Sequence, residues 1–137
     1  MIEKIYICHI VEKQPMIDRD WAEASAREWV DAWNAHDIER ILSHYTDDFE
    51  MTSPLIVERK LSPNGRLKGK DAIRSYWGKG LAATPNLRFD LLNVMIGVNS
   101  LGIFYRSVTA KRTVIERIEF NDQRRAMRAE ALYGPSD

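Results

Sequence analysis

One cysteine, Cys8, stands in the 137 residues, so no disulfide can form within the chain and a reducing compartment is the default. No sign of charge is in surplus. Twenty Lys and Arg balance twenty Asp and Glu, whereas a nucleic-acid binder carries a basic excess. No apolar run approaches the length needed to cross a bilayer. The N-terminal stretch IYICHIV, residues 5–11, is interrupted by His9 and flanked by only one basic residue, Lys4. It also lacks a small-residue cleavage site, which makes it a poor signal peptide. An extra strand is the better reading, or a peripheral segment if translation starts at Met16. Histidines are few as well: His9, His36 and His44 with Cys8 do not assemble a convergent ligand set, so no metal is expected. No phosphate loop, dinucleotide fingerprint or nucleophile motif is present. The expectation is a cytoplasmic protein without cofactor, membrane contact or nucleic-acid partner.

At 45% hydrophobic residues the chain can bury one core unaided. Residues 18–137 read as a single domain, with 1–17 as an extension that is either an extra strand or disordered. Asp20 and Glu23 have the spacing of a capping box. Ala22, Ala26, Trp29, Val30 and Trp33 then recur at helical period. Asn34, Ala35 and His36 break that helix, and Asp37 caps a short second one with Ile38, Ile41, Leu42 and Tyr45 inward. Residues 48–53 alternate with period two and stop at Pro54. Ser62-Pro63-Asn64-Gly65 marks a turn. A third helix follows Gly69, with Ile73, Tyr76, Trp77 and Leu81 inward, and ends before Pro85. Four strands follow over residues 87–98, 100–108, 112–120 and 125–133. Helices first and a strand meander after imply an α+β fold, three N-terminal helices packed on one face of a curved antiparallel sheet.

A two-residue turn at 109–110 sets Ile103 opposite Glu116. A turn at 121–124 sets Glu116 opposite Ala129. Both hairpins gather Leu101, Ile103, Tyr105, Val114, Glu116, Ile118, Met127, Ala129, Ala131 and Tyr133 on the face the helices cover. Glu116 is the anomaly in that set. A carboxylate among Ile, Val and Ala is costly unless paired or protonated, and Ala129 and Ala131 leave space beside it. The opposite face mixes Phe104, Ile115 and Leu132 with charged residues, a composition suited to a homodimer interface.

The segments WVDAWNAHDIERILSHYTDDFEM, GKDAIRSYW, VIERIEFND and RAEALYG resemble the nuclear transport factor 2-like superfamily, in particular its SnoaL-like branch, over roughly residues 18–134. The resemblance implies a cone-shaped cavity between helices and a strongly bent sheet, and a homodimer. It includes ketosteroid isomerase, polyketide cyclases, limonene epoxide hydrolase, scytalone dehydratase and non-enzymatic transport or assembly domains. On the isomerase pattern the general base falls at Ser53, the oxyanion tyrosine at Trp29 and the protonated acid at Glu116, so one role of three is kept in type. The epoxide hydrolase pattern needs an Asp-Arg-Asp set, and no arginine is expected deep in the cavity. SnoaL-type cyclases use one acidic cavity residue, a part Glu116 could fill.

The function implied is binding of a small hydrophobic molecule, with acid/base isomerase or cyclase chemistry on a cyclic ketone or polyketide-like ligand. A non-catalytic binding or dimeric assembly domain is the alternative, and a dehydratase or epoxide hydrolase-like enzyme the third reading. Glu116 and Tyr105 are the candidate catalytic pair. Trp29, Trp33, Met51, Ser53, Trp77, Ile103, Val114, Ile118, Met127, Ala129, Ala131 and Tyr133 are the candidate lining.

Overall fold

In the computed structural model, which describes residues 16–137, the first helix begins earlier than the capping box suggests. Helix α1 spans Arg19–Asn34 and its N-cap is Asp18, whose carboxylate accepts from Trp21 N at 2.7 Å. Asp20 instead lies in the first turn, where an acid meets the positive end of the helix dipole. The strand expected at 5–11 lies outside the described residues. Ile17 is already buried in the core.

The helix stops at His36, which takes a left-handed φ of 56° and places Nε2 3.0 Å from Leu87 O. Helix α2, Ile38–Leu42, is capped by Asp37 as expected. Glu28 of α1 holds the following segment. It accepts from Arg40 Nη2 and Nε at 2.6 and 2.9 Å and lies 3.1 Å from His44 Nε2. Those contacts draw its carboxyl down to about 2, with the Arg40 hydrogen bond the largest cause.

Strand β1 runs Tyr45–Thr52, so Tyr45 opens the strand rather than closing α2. Two short elements were not legible in the sequence. Helix α3, Pro54–Glu58, is capped by Ser53 and has proline in its first turn, where a missing N–H costs nothing. Strand β2 covers only Arg66–Lys68. Between them Gly65 has φ 73°, and a Cβ there would meet Ser53 O at 3.2 Å. That position needs glycine. Helix α4 is Lys70–Ala83. The meander follows as β3 Phe89–Ile96, β4 Ser100–Ser107, β5 Arg112–Phe120 and β6 Ala126–Tyr133.

The six strands form one sheet in the order β2-β1-β6-β5-β4-β3. It is not wholly antiparallel as the sequence implied. β1 pairs with β6 in parallel, which the long intervening chain allows. Ile103 does oppose Glu116. The next register differs from expectation, with Glu116 opposite Ala131 and Ile118 opposite Ala129, because the turn pairs Phe120 with Ala126 rather than Arg125 and a bulge between Glu119 and Phe120 adds one more residue. The offset is two residues, so face membership survives for Ala129, Ala131 and Tyr133. Met127 is the exception. It sits in the bulge and is half-buried, while Ala126 turns inward.

Helix α1 packs across β3, and α4 against β1 and β2. They enclose a core that includes Tyr45, Phe49, Ile73, Leu101 and Ile103, each essentially inaccessible. Arg125 donates to Tyr45 O at 2.6 Å. Among the described residues no helix is long and apolar enough to cross a membrane.

Candidate functional site

Aromatic side chains from α1, α4, β3 and β4 meet above the sheet. Trp29 stacks on Phe89 with ring planes 15° apart and centroids at 5.9 Å. Phe89 lies 4.4 Å from Tyr105, and Trp33 meets Trp77 edge-on at 5.1 Å. Helical spacing delivers Trp29 and Trp33, strand alternation delivers Tyr105, and the packing leaves space between them. The result is a cavity of about 310 Å³, at the small end of ligand pockets. One benzene ring occupies a cavity of about 150 Å³, so this one suits a molecule of roughly two rings.

Eight of the fourteen candidate residues line this cavity: Glu116, Tyr105, Trp29, Trp33, Met51, Trp77, Val114 and Tyr133. The other six do not. Ser53 is buried behind the wall, caps α3 through Leu55 N at 3.2 Å and donates to the Tyr133 hydroxyl at 3.4 Å. Ile103 and Ile118 line a second cavity of about 330 Å³ that shares Trp29 as a wall. Ala129 and Ala131 are buried in the sheet, and Met127 is displaced by the bulge; none of these three lines either cavity.

Glu116 is 3% exposed and faces the 310 Å³ cavity. Burial first, and repulsion from Glu130 second, push its carboxyl up to about 8. A protonated acid at neutral pH is the result. It has no hydrogen bond or ion pair among the described residues. Neither Trp29 nor Tyr105 bonds to it. Trp29 Nε1 donates to the Tyr45 hydroxyl at 3.0 Å, and Tyr105 makes ring contacts with Trp29 and Phe89.

Four phenols share the surroundings of Glu116. Burial, with a smaller contribution from Glu116, raises the hydroxyls of Tyr45 and Tyr105 well above the ordinary tyrosine range. Tyr133 is pushed up to about 12 by burial, tempered by Ser53, and Tyr76 shifts the same way. All four therefore stay protonated and can donate. Chemically, the cavity offers hydrogen-bond donors at its base and no ionised carboxylate at neutral pH.

The sequence reading missed several lining residues, Tyr76, Phe89, Arg59 and Arg112 among them. Arg112 lines the cavity beside Val114 and Glu116. The signal was there: Arg112 is two residues from Val114 and four from Glu116, on the same face of β5. Arg59 had no such signal, because α3 itself was not recognised. Among the described residues no cluster of three or more His, Cys, Asp or Glu could hold a metal.

The family model described as a SnoaL-like domain matches residues 26–133. A SnoaL-like protein of unknown function from Burkholderia thailandensis is 42% identical, with a TM-score of 0.84, covering 88% of this chain and 99% of its own. A protein of the SnoaL-like family from Agrobacterium tumefaciens, provisionally called an isomerase, is 16% identical at TM-score 0.65, covering 83% and 97%. TerC, co-crystallised with polyporic acid, is 18% identical at TM-score 0.66, covering 81% and 90%. The last two likenesses concern the fold alone. No curated protein matches.

Proposed function

Since the chain belongs to the SnoaL-like family, we propose that its 310 Å³ cavity binds a small hydrophobic ring compound and that Glu116 acts there as an acid. The observation that carries this reading is a buried, protonated carboxyl with no partner among the described residues, facing an aromatic-walled cavity. Such a group is expensive unless a ligand oxygen satisfies it. Its O–H would donate to the carbonyl oxygen of a cyclic ketone while the α-proton leaves to a solvent base, giving the enol. Donation in a water-poor cavity is where a hydrogen bond stabilises developing oxyanion charge most. Tyr105, also protonated and on the same wall, is the candidate second donor. TerC, similar in fold, was co-crystallised with polyporic acid, and a ligand-binding role here is in keeping with that.

The test is hydrogen–deuterium exchange at the α-carbons of 2-tetralone, a two-ring ketone. Wild type should accelerate exchange over buffer, and Glu116→Gln should return it to the buffer rate. No acceleration by wild type removes the acid/base role. A non-catalytic binding domain then becomes the better reading, and two features already favour it: among the described residues no second carboxylate lines the cavity, and Ser53 stands where the isomerase base would be.

We further propose a two-fold homodimer through the outer sheet face. Leu132 and Met95 are exposed there, beside a charge cluster in which Arg128 lies within 4 Å of both Glu119 and Glu50. Isologous pairing of such a mixed apolar and charged surface is the usual dimer geometry. Light scattering at micromolar concentration should give twice the chain mass, and a monomer mass would remove the proposal.

A further inference from the structure

The acid at the cavity floor accounts for one end of a ligand. Its mouth carries the opposite chemistry. The lining residues that reach solvent come from the α3 C-terminus, the last turn of α4 and the β4–β5 turn, and two of them are cations, Arg59 and Arg112. Neither forms a salt bridge among the described residues. Arg40, Arg74, Arg106 and Arg128, by contrast, all hold carboxylates. Each unpaired arginine lies over a tyrosine that lines the same cavity. The Arg112 guanidinium carbon is 4.2 Å from the Tyr133 ring centroid, and that of Arg59 is 5.5 Å from Tyr76.

Stacking fixes the plane of a guanidinium and leaves its N–H edges to be used. An arginine placed only for packing would spend those edges on water. Arg112 departs from that pattern, because its Nε is buried and has no hydrogen-bond acceptor. A charged donor left unsatisfied out of water is costly, and a planar carboxylate is the acceptor whose geometry matches a guanidinium edge.

We propose that the natural ligand is a ring compound bearing a carboxylate, with the carboxylate on Arg112 at the mouth, Arg59 as the second cation, and the ring body among the tryptophans. The inference rests on the ligand-binding role proposed for this cavity and narrows the substrate class from neutral ketones to keto acids or aromatic acids. It also orients the ligand. The anionic end is outermost, and any carbonyl on the far ring points toward Glu116.

Two probes of the same shape separate this from simple hydrophobic binding: 2-naphthoate, and 2-acetylnaphthalene, in which a methyl group replaces one carboxylate oxygen. Calorimetry at pH 7 should show wild type binding 2-naphthoate about tenfold or more tightly, the range expected of a hydrogen bond to a charged group. Arg112→Gln should bring 2-naphthoate to the level of 2-acetylnaphthalene while leaving the latter within about twofold of wild type. Arg112→Lys should keep part of the preference, because the charge remains while the planar edge is lost. Arg59→Gln, at an exposed position, should give a smaller loss in the same direction, and it decides the matter if Arg112→Gln does not fold. Equal affinity of wild type for both probes, or a loss shared equally by both in Arg112→Gln, overturns the carboxylate assignment and leaves the cavity reading intact. Failure of both probes to bind wild type overturns the cavity reading itself.

Discussion

Glu116→Gln should unfold at the wild-type temperature at pH 4 and at a higher temperature at pH 7.5. The sign follows from where the proton sits. Below the unfolded value of 4.5 the carboxyl is protonated in both states and adds no difference. Between 4.5 and about 8 the unfolded chain releases a proton that the folded chain keeps, so wild type loses stability as pH rises. Above that the penalty is constant. Glutamine keeps the shape and a donor but has no proton to lose, so it escapes the penalty. The gain at pH 7.5 should be on the order of 2–4 kcal/mol, or roughly 5–10 °C in Tm. Glu28, drawn down by Arg40, destabilises both proteins equally as pH falls from 4.5 towards 2 and drops out of the comparison. A glutamine variant less stable than wild type at pH 7.5 would mean that Glu116 is ionised and paired. The acid proposed for catalysis would then not exist.

Phe49→Ala should be the most damaging single truncation away from the cavity. Its ring is fully buried, 4.4 Å from Tyr45 and 5.7 Å from Trp77 between centroids, and it does not line the cavity. Removing a buried aromatic costs about 3–5 kcal/mol, because the void collapses only in part. Against a total of about 5–15 kcal/mol for a small domain, that is a large share. Urea denaturation should show a lower midpoint with an unchanged slope. A loss below about 1 kcal/mol would show that Tyr45 and Trp77 close over the gap and that the core is looser than its aromatic contacts imply.

The parts of this fold that the sequence revealed are those governed by period. Strand alternation placed Glu116, Val114 and Tyr105 on one face correctly, and helical spacing did the same for Trp29, Trp33 and Trp77. The parts it concealed are set by single events in the backbone. The β5–β6 turn and the bulge beyond Glu119 each moved the β6 register by one residue, and the bulge displaced Met127, yet neither flanking residue announces it. Helix α3 hid behind Pro54, which reads equally as a strand stop or a helix start. With α3 unseen, Arg59 had no element to place it. Ile103 and Ile118 show a different limit. Alternation assigns a face, but that face serves two cavities that share Trp29 as a wall, and no one-dimensional pattern divides them. Ser53 was placed in the wall by its position on β1, while its hydroxyl is engaged by Leu55 N and Tyr133.

The parallel pairing of β1 with β6 also bears on how the chain is made. On a ribosome, Tyr45–Thr52 emerges more than seventy residues ahead of its partner Ala126–Tyr133. Until then β1 has only the three-residue β2 beside it, and its other edge has no ladder to join. At about 5–20 residues per second the delay lasts several seconds. Throughout it the backbone of β1 and the rings of Tyr45 and Phe49 lack their final cover. A nascent chain stalled before Ala126 therefore presents an open strand edge next to apolar rings, the kind of surface that chaperones bind and that pairs wrongly with other chains. Synthesis of β6 completes the sheet and the wall behind Glu116 together, so the cavity comes into being only once that strand is made.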